Sequence, residues 1–198
     1  EELLGDTMSH FRDRFILASK CGHSFDAKYG DWSYDLVKLS IERSLRLLKT
    51  DHIDLMQIHS CDLEILKRGE AIGALEEAKK EGKILNIGYS GDNEAAVWAA
   101  ESNIFSTIQT SFNLVEQKAR YKLFESIKKN NLGVIAKRPI ANGVWRASTS
   151  PSGYGDEYFK RAKIIQVELE KKMLGRYFPI SIGIHADAAT ATNQIYNE

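Results

Sequence analysis

Five short apolar runs punctuate the first two-thirds of the chain, at residues 15–20, 53–59, 85–90, 107–112 and 133–137. The first two finish on one ionisable side chain each, Lys20 and His59. An apolar run of this length closed by a charge reads as a strand buried on both faces, with its C-terminal tip opening into a site. Between the runs lie patterns of helical period. Ser33 is placed to cap a helix over 34–49, in which Val37, Ile41, Leu45 and Leu48 form one stripe. Ile72, Leu75 and Ala78 share a face of the next helix, with Lys79 and Lys80 in its last turn and Gly82 as its stop. Shorter helices are predicted over 95–101 and over 117–130, the latter with Tyr121, Phe124 and Ile127 inward.

Strand alternating with helix at this spacing is the pattern of βαβ crossovers and hence of a parallel sheet. Residues 147–155 form a Ser/Pro/Gly segment that reads either as a loop over the strand tips or as a surface loop without a role. A helix over 157–174 is predicted after it.

Composition narrows the classes. The 198 residues are 43% hydrophobic, enough for one sizeable core, so one domain is the default. Lysine plus arginine equals aspartate plus glutamate at 27 each, so no net field favours nucleic acid or an acidic membrane. Two cysteines, Cys21 and Cys61, are too few for a disulfide framework and suit a reducing compartment. The opening residues lack the order of a signal peptide, and no apolar run approaches the roughly 20 residues that span a bilayer. These features predict a soluble, cytoplasmic protein.

Alternation puts Lys20 on the face of Ile16 and Ala18, and His59 on the face of Leu55 and Gln57. On consecutive barrel strands the two side chains would stand side by side at one height, pointing inward. A lysine in an apolar interior must serve a partner or lose its charge, and beside a histidine it could lower the pKa of a phenol or polarise a carbonyl. Spacing alone leaves open a second reading, a lysine that snorkels to water and a histidine bonded in the core. Cys21, His59 and Cys61 match no zinc spacing, so no metal is expected. The Gly-x-Gly-x-x-Gly fingerprint and the P-loop are both absent.

Several motifs in order resemble one family. Ile16-Leu-Ala-Ser-Lys20, Asp54-Leu-Met-Gln-Ile-His59, Gly82-Lys-Ile-Leu-Asn-Ile-Gly-Tyr-Ser90, Gln109 and Ala136-Lys-Arg-Pro-Ile140 look like consecutive signatures of the aldo-keto reductases. The resemblance runs clearly from Glu1 over residues 1–145, and it implies an eightfold α/β (TIM) barrel with outer helices. It also implies NADPH-dependent reduction of an aldehyde or ketone by an Asp, Tyr, Lys and His tetrad. By motif match Lys20 takes the lysine role and His59 the histidine role. Ser90 and Gln109 match residues that hold the nicotinamide carboxamide, although Gly91-Asp92 follows Ser90 where Asn is usual. Lys137 matches a cofactor-contacting position at which many members carry a stacking aromatic.

The family's aspartate and tyrosine lie upstream of the segment that Glu1-Glu-Leu-Leu-Gly5 resembles, and none of the eight tyrosines occupies that motif. Tyr89 is nearest in sequence, but alternation turns it away from the face of Ser90. Residues 183–193 resemble the eighth-strand segment in outline, with Asp187, alanines and Thr190 where apolar residues are usual. The expectation is therefore a partial barrel spanning 1–198, truncated, with 146–198 as loop, helix and a poorly matching last strand. It is an oxidoreductase by ancestry and inactive as this chain. The alternative is a non-catalytic partial-barrel scaffold or regulatory protein. Exposed barrel edges predict self-association, with no nucleic-acid or membrane partner.

Overall fold

The computed structural model describes residues 1–26, 28–141, 165–168, 170–173, 181–187 and 190. The chain forms two compact units, Glu1–Lys137 and Arg138–Glu198. In the first, helix α1 (Glu2–Met8) and a 3-10 turn lead into strand β1 (Ala18–Cys21). There follow α2 (Tyr34–Leu48), β2 (Ile53–His59), α3 (Leu63–Arg68), α4 (Glu70–Lys80) and β3 (Ile84–Ser90). Helix α5 (Asn93–Glu101), β4 (Thr107–Ser111), α6 (Lys122–Lys129) and β5 (Gly133–Lys137) complete it. The five strands make one sheet in chain order, every adjacent pair parallel.

The helices form where periodicity places them. Ser33 caps α2 by accepting the Leu36 N–H, and Val37, Ile41, Leu45 and Leu48 are all buried against the sheet and α4. Gly82, at φ +75°, ends the α4 turn with its N–H on the Lys79 carbonyl. The predicted helix over 117–130 begins as helix only at Lys122, after a 3-10 turn, because Tyr121 adopts ψ −100°. Its ring consequently faces solvent, whereas Ile127 is buried and Phe124 packs on the core.

The two faces of the sheet differ. Met56, Ile58, Ile87, Tyr89 and Ile108 lie under the helices and are buried. Leu55, Gln57, Gly88, Thr107 and Gln109 share the opposite face. Interior strand β2 is buried on both faces, as its apolar run predicts, but edge strands β1 and β5 are not. Ile16, just before β1, is 82% exposed.

In the second unit, β6 (Ile165–Glu168) pairs parallel with β7 (Ile182–His185). This corrects the helix predicted over 157–174. Ile164, Ile165 and Val167 are β-branched, a density that favours extended chain over helix. Strand β7 stops before Ala186-Asp187, where the sequence turns unfavourable for a buried strand. The segment 147–155 lies outside the described residues.

Candidate functional site

The strand ladder sorts the predicted residues into rows. Lys20, Gln57, Gly88, Thr107 and Gly133 are successive register partners across the sheet. One step further along the strands, His59, Ser90, Gln109 and Ile135 form the next row. Ser111 and Lys137 are partners in a third. All point to the face away from the helices, towards the C-terminal tips, where parallel barrels place their chemistry.

The expected side-by-side placement of Lys20 and His59 is corrected by this register. Lys20 pairs with Gln57, so His59 stands two residues beyond it, about 6.6 Å along the strand. The two still line one cleft of about 170 Å³, with Gly22, His23 and Arg43. Lys20 is not pressed into an apolar interior. It is exposed, and among the described residues no carboxylate lies within ion-pair distance.

His23 and Trp32 pack against His59. Gly22, at φ +124°, accepts the Trp32 N–H at 2.7 Å, and a Cβ at Gly22 would meet the Trp32 ring at 2.4 Å. Trp32 in turn donates its indole N–H to the His59 carbonyl at 2.9 Å. The His23 ring stands edge-on to both His59 and Trp32, with centroids 4.9 Å apart in each case. Asp31 holds His23 at 3.5 Å. Burial lowers the pKa of His59 below its ordinary 6.5, and the positive potentials of His23, Lys20 and Lys137 lower it further. At neutral pH His59 is an uncharged imidazole, able to donate a hydrogen bond to a carbonyl oxygen.

Lys137 does not stand free at the tip of β5. Its ammonium meets Asp92 at 3.0 Å. Asp92 also accepts from the Ser111 N–H at 2.7 Å, the Thr110 hydroxyl at 2.8 Å and the Ser111 hydroxyl at 3.2 Å. Burial alone would raise this carboxyl, but the Ser111 N–H and Lys137 outweigh it and hold its pKa below the usual value. Asp92 therefore fixes Lys137 and ties the end of β3 to β4 and β5.

Deeper in the sheet, Gln57 donates from Nε2 to Gln109 Oε1 at 2.6 Å. Among the described residues the buried Gln57 Oε1 and Thr107 Oγ1 atoms have no partner. Tyr89 points to the helix face, as alternation predicts, and gives its hydroxyl to the Cys61 carbonyl at 2.7 Å. Burial raises its pKa well above the usual phenol value. Cys21 and Cys61 are buried free thiols, pushed up by burial to about 12 and about 11. Among the described residues no three His, Cys, Asp or Glu side chains are grouped to hold a metal.

Asp54, which belongs to the His59 motif, lies at the opposite end of β2. It binds Arg12 and the Leu17 N–H, each at 2.7 Å, and so fastens β1 to β2 rather than serving the site. Sequence reasoning missed His23, Trp32 and Asp92. The available signal was Gly22-His23 directly behind Lys20-Cys21, and a charged residue two places beyond Ser90.

The sequence profile described as the Aldo/keto reductase family matches residues 1–178, and the chain belongs to that family. The uncharacterized oxidoreductase YqkF of Bacillus subtilis is 34% identical over 150 residues, 73% of this chain and 48% of that protein. The holo form of aldo-keto reductase AKR11C1 from Bacillus halodurans superposes with a TM-score of 0.61 at 26% identity, over 77% of this chain and 50% of that one. An aldo/keto reductase from Klebsiella pneumoniae, solved with NADP and acetate, gives 0.58 at 26% identity, over 72% and 49%. The five parallel strands with their helices are thus a partial (β/α)8 barrel. The chain spans about half the length of the curated relatives it matches. No described helix is long and apolar enough to cross a membrane.

Proposed function

We propose that this chain carries the lysine, histidine and nicotinamide-amide part of an NADPH-dependent carbonyl reductase site. The observation that carries the reading is the row His59, Ser90 and Gln109, set one step above Lys20 on the same face of the sheet. The donor set fits the cofactor's amide. Ser90 and Gln109 are register partners on adjacent strands, offering a hydroxyl and a carboxamide to the two ends of one planar amide. NADPH, when bound, supplies the hydride. His59, neutral at pH 7, orients the substrate carbonyl and stabilises charge developing on its oxygen. Lys137 takes a cofactor-side position but, tied to Asp92, does not supply the stacking surface that many members place there.

On the resemblance, the family's aspartate and tyrosine precede Glu1. The 198-residue polypeptide alone should then bind NADPH without turning over, because removing a positioned general acid costs about 10²–10⁴-fold. Its substrate class is a small aldehyde or ketone. Buried, free Cys21 and Cys61 support a reducing compartment, the cytoplasm. The second reading, a binding scaffold without catalysis, is favoured by the absence, among the described residues, of a carboxylate within ion-pair distance of Lys20. Fluorescence titration with NADPH beside an aromatic-aldehyde reduction assay tests both. Micromolar binding supports the site, whereas no binding at millimolar NADPH removes it. Reduction abolished by Lys20→Met would show a complete tetrad function with another proton donor.

A further inference from the structure

The Gln57–Gln109 contact spans a whole strand. Gln57 is on β2 and Gln109 on β4, so β3 lies between them. Adjacent strands are about 4.8 Å apart, and two glutamine side chains can bridge twice that only if nothing rises from the strand they cross. The residue they cross is Gly88, the register partner of Gln57. A Cβ there would sit 2.9 Å from Gln57 Cγ and 2.6 Å from Thr107 Oγ1. Gly88 therefore keeps open the passage that Gln57 uses.

The polarity of the contact is fixed by what lies at the other end of Gln57. Gln57 is 1% exposed, and among the described residues its Oε1 has no partner. Turning the amide over would leave a buried N–H orphaned instead of a carbonyl oxygen, and orphaned buried N–H groups are the rarer and costlier defect. Gln57 thus donates and Gln109 accepts. Among the described residues the Gln109 Nε2 has no partner, so the end left for a ligand is a donor.

We propose that Gln57 is a positioning residue that pins Gln109 through its acceptor, so that Gln109 offers its NH₂ to the carbonyl oxygen of the nicotinamide carboxamide. This rests on the NADPH reading above. The amide's own NH₂ is then left for Ser90 Oγ. Gln57 sets both the position and the polarity of amide reading without touching the cofactor.

The test has an unliganded and a liganded arm. In the free protein, side-chain ¹H–¹⁵N spectra should show Gln57 amide protons exchanging at least tenfold more slowly than those of an exposed glutamine. The protection should vanish in Gln109→Met. Rapid exchange in the wild type overturns the pin. In NADPH titrations, Gln57→Met should weaken binding about five- to tenfold, and Gln109→Met should add nothing to it. Gly88→Ala, which closes the passage but leaves both amides, should reproduce the loss if Gln57→Met fails to fold. A Kd within twofold of wild type, or losses that multiply, overturns the positioning role. The 3-acetylpyridine analogue keeps the carbonyl and replaces NH₂ with methyl. Its loss of affinity relative to the parent cofactor should disappear in Ser90→Ala, which removes the hydroxyl that takes that NH₂, and persist in Gln109→Met; the opposite pattern overturns the polarity. No NADPH binding alongside a protected Gln57 amide sinks the cofactor reading and the cofactor half of this proposal, while the pin stands on the exchange data.

Discussion

Replacing Asp92 with alanine removes three accepted hydrogen bonds and the only carboxylate seen within ion-pair distance of Lys137 among the described residues. A hydrogen bond to a charged group is worth about 1.5–3 kcal/mol net, and the Ser111 N–H and Thr110 bonds are short enough to count in full. The ion-pair partners are 17% and 28% exposed, so solvent screens the Lys137 contribution to about 1 kcal/mol or less. Relief through new waters at the partly open site offsets part of the sum, and we expect a net cost of about 3 kcal/mol. For a chain of this size that is about 6–12 °C in Tm. Asp92→Asn keeps an acceptor for Thr110 and Ser111 and should lose only about 1 kcal/mol, the part that depends on charge. The sign with pH follows from the lowered carboxyl pKa of the folded state. The charge-dependent stabilisation is complete above the unfolded value of 3.8 and disappears as pH falls through the depressed one. Scanning calorimetry of wild type, Asp92→Ala and Asp92→Asn from pH 7 to pH 3 reads all of this. An alanine variant melting within 2 °C of wild type, or an asparagine gap that does not narrow below pH 4, would refute the reasoning.

Three further outcomes are expected. His59 should titrate below 6.5 in proton NMR, and His23→Ala should raise its pKa by removing a ring that acts electrostatically against the His59 imidazolium; an unmoved titration would show that His23 does not act on it. Tyr89→Phe strands the buried Cys61 carbonyl and should cost about 1–2 kcal/mol in urea unfolding, with a null effect meaning that water replaces the phenol. A polypeptide of these 198 residues should self-associate at micromolar concentration, because Ile16, Val134 and Ile135 expose apolar surface at the two sheet edges; sedimentation as a compact monomer speaks against it.

The strands and helices were legible because each carries a one-dimensional signal. The apolar run at 53–59 reflects burial of β2 on both faces, and the stripe Val37, Ile41, Leu45, Leu48 reflects burial against one layer. Register is not such a signal. Nothing in residues 15–20 and 53–59 states that Lys20 pairs with Gln57 rather than His59, since a parallel pairing depends on how crossover α2 packs. The exposure of Lys20 was equally hidden, because an apolar run looks the same at the edge of a sheet and at its centre. Asp92 escaped notice because its partners, Thr110, Ser111 and Lys137, are 18 to 45 residues away and carry no motif of their own. The helix predicted over 157–174 failed where local β-branching at 164–167 outweighed a loosely helical pattern.

Trp32 gives the protein an optical gauge of its own active-face chemistry. Indole emission depends on the groups packed around the ring, and here the His23 ring lies 4.9 Å from the Trp32 ring. Any ligand that displaces the His23 ring should therefore change its emission, with no dye attached. The chain has only three tryptophans, so Trp98→Phe and Trp145→Phe together leave Trp32 as the sole emitter. Because the same indole is fastened to the His59 carbonyl, any ligand that shifts that strand tip becomes visible in its spectrum as well.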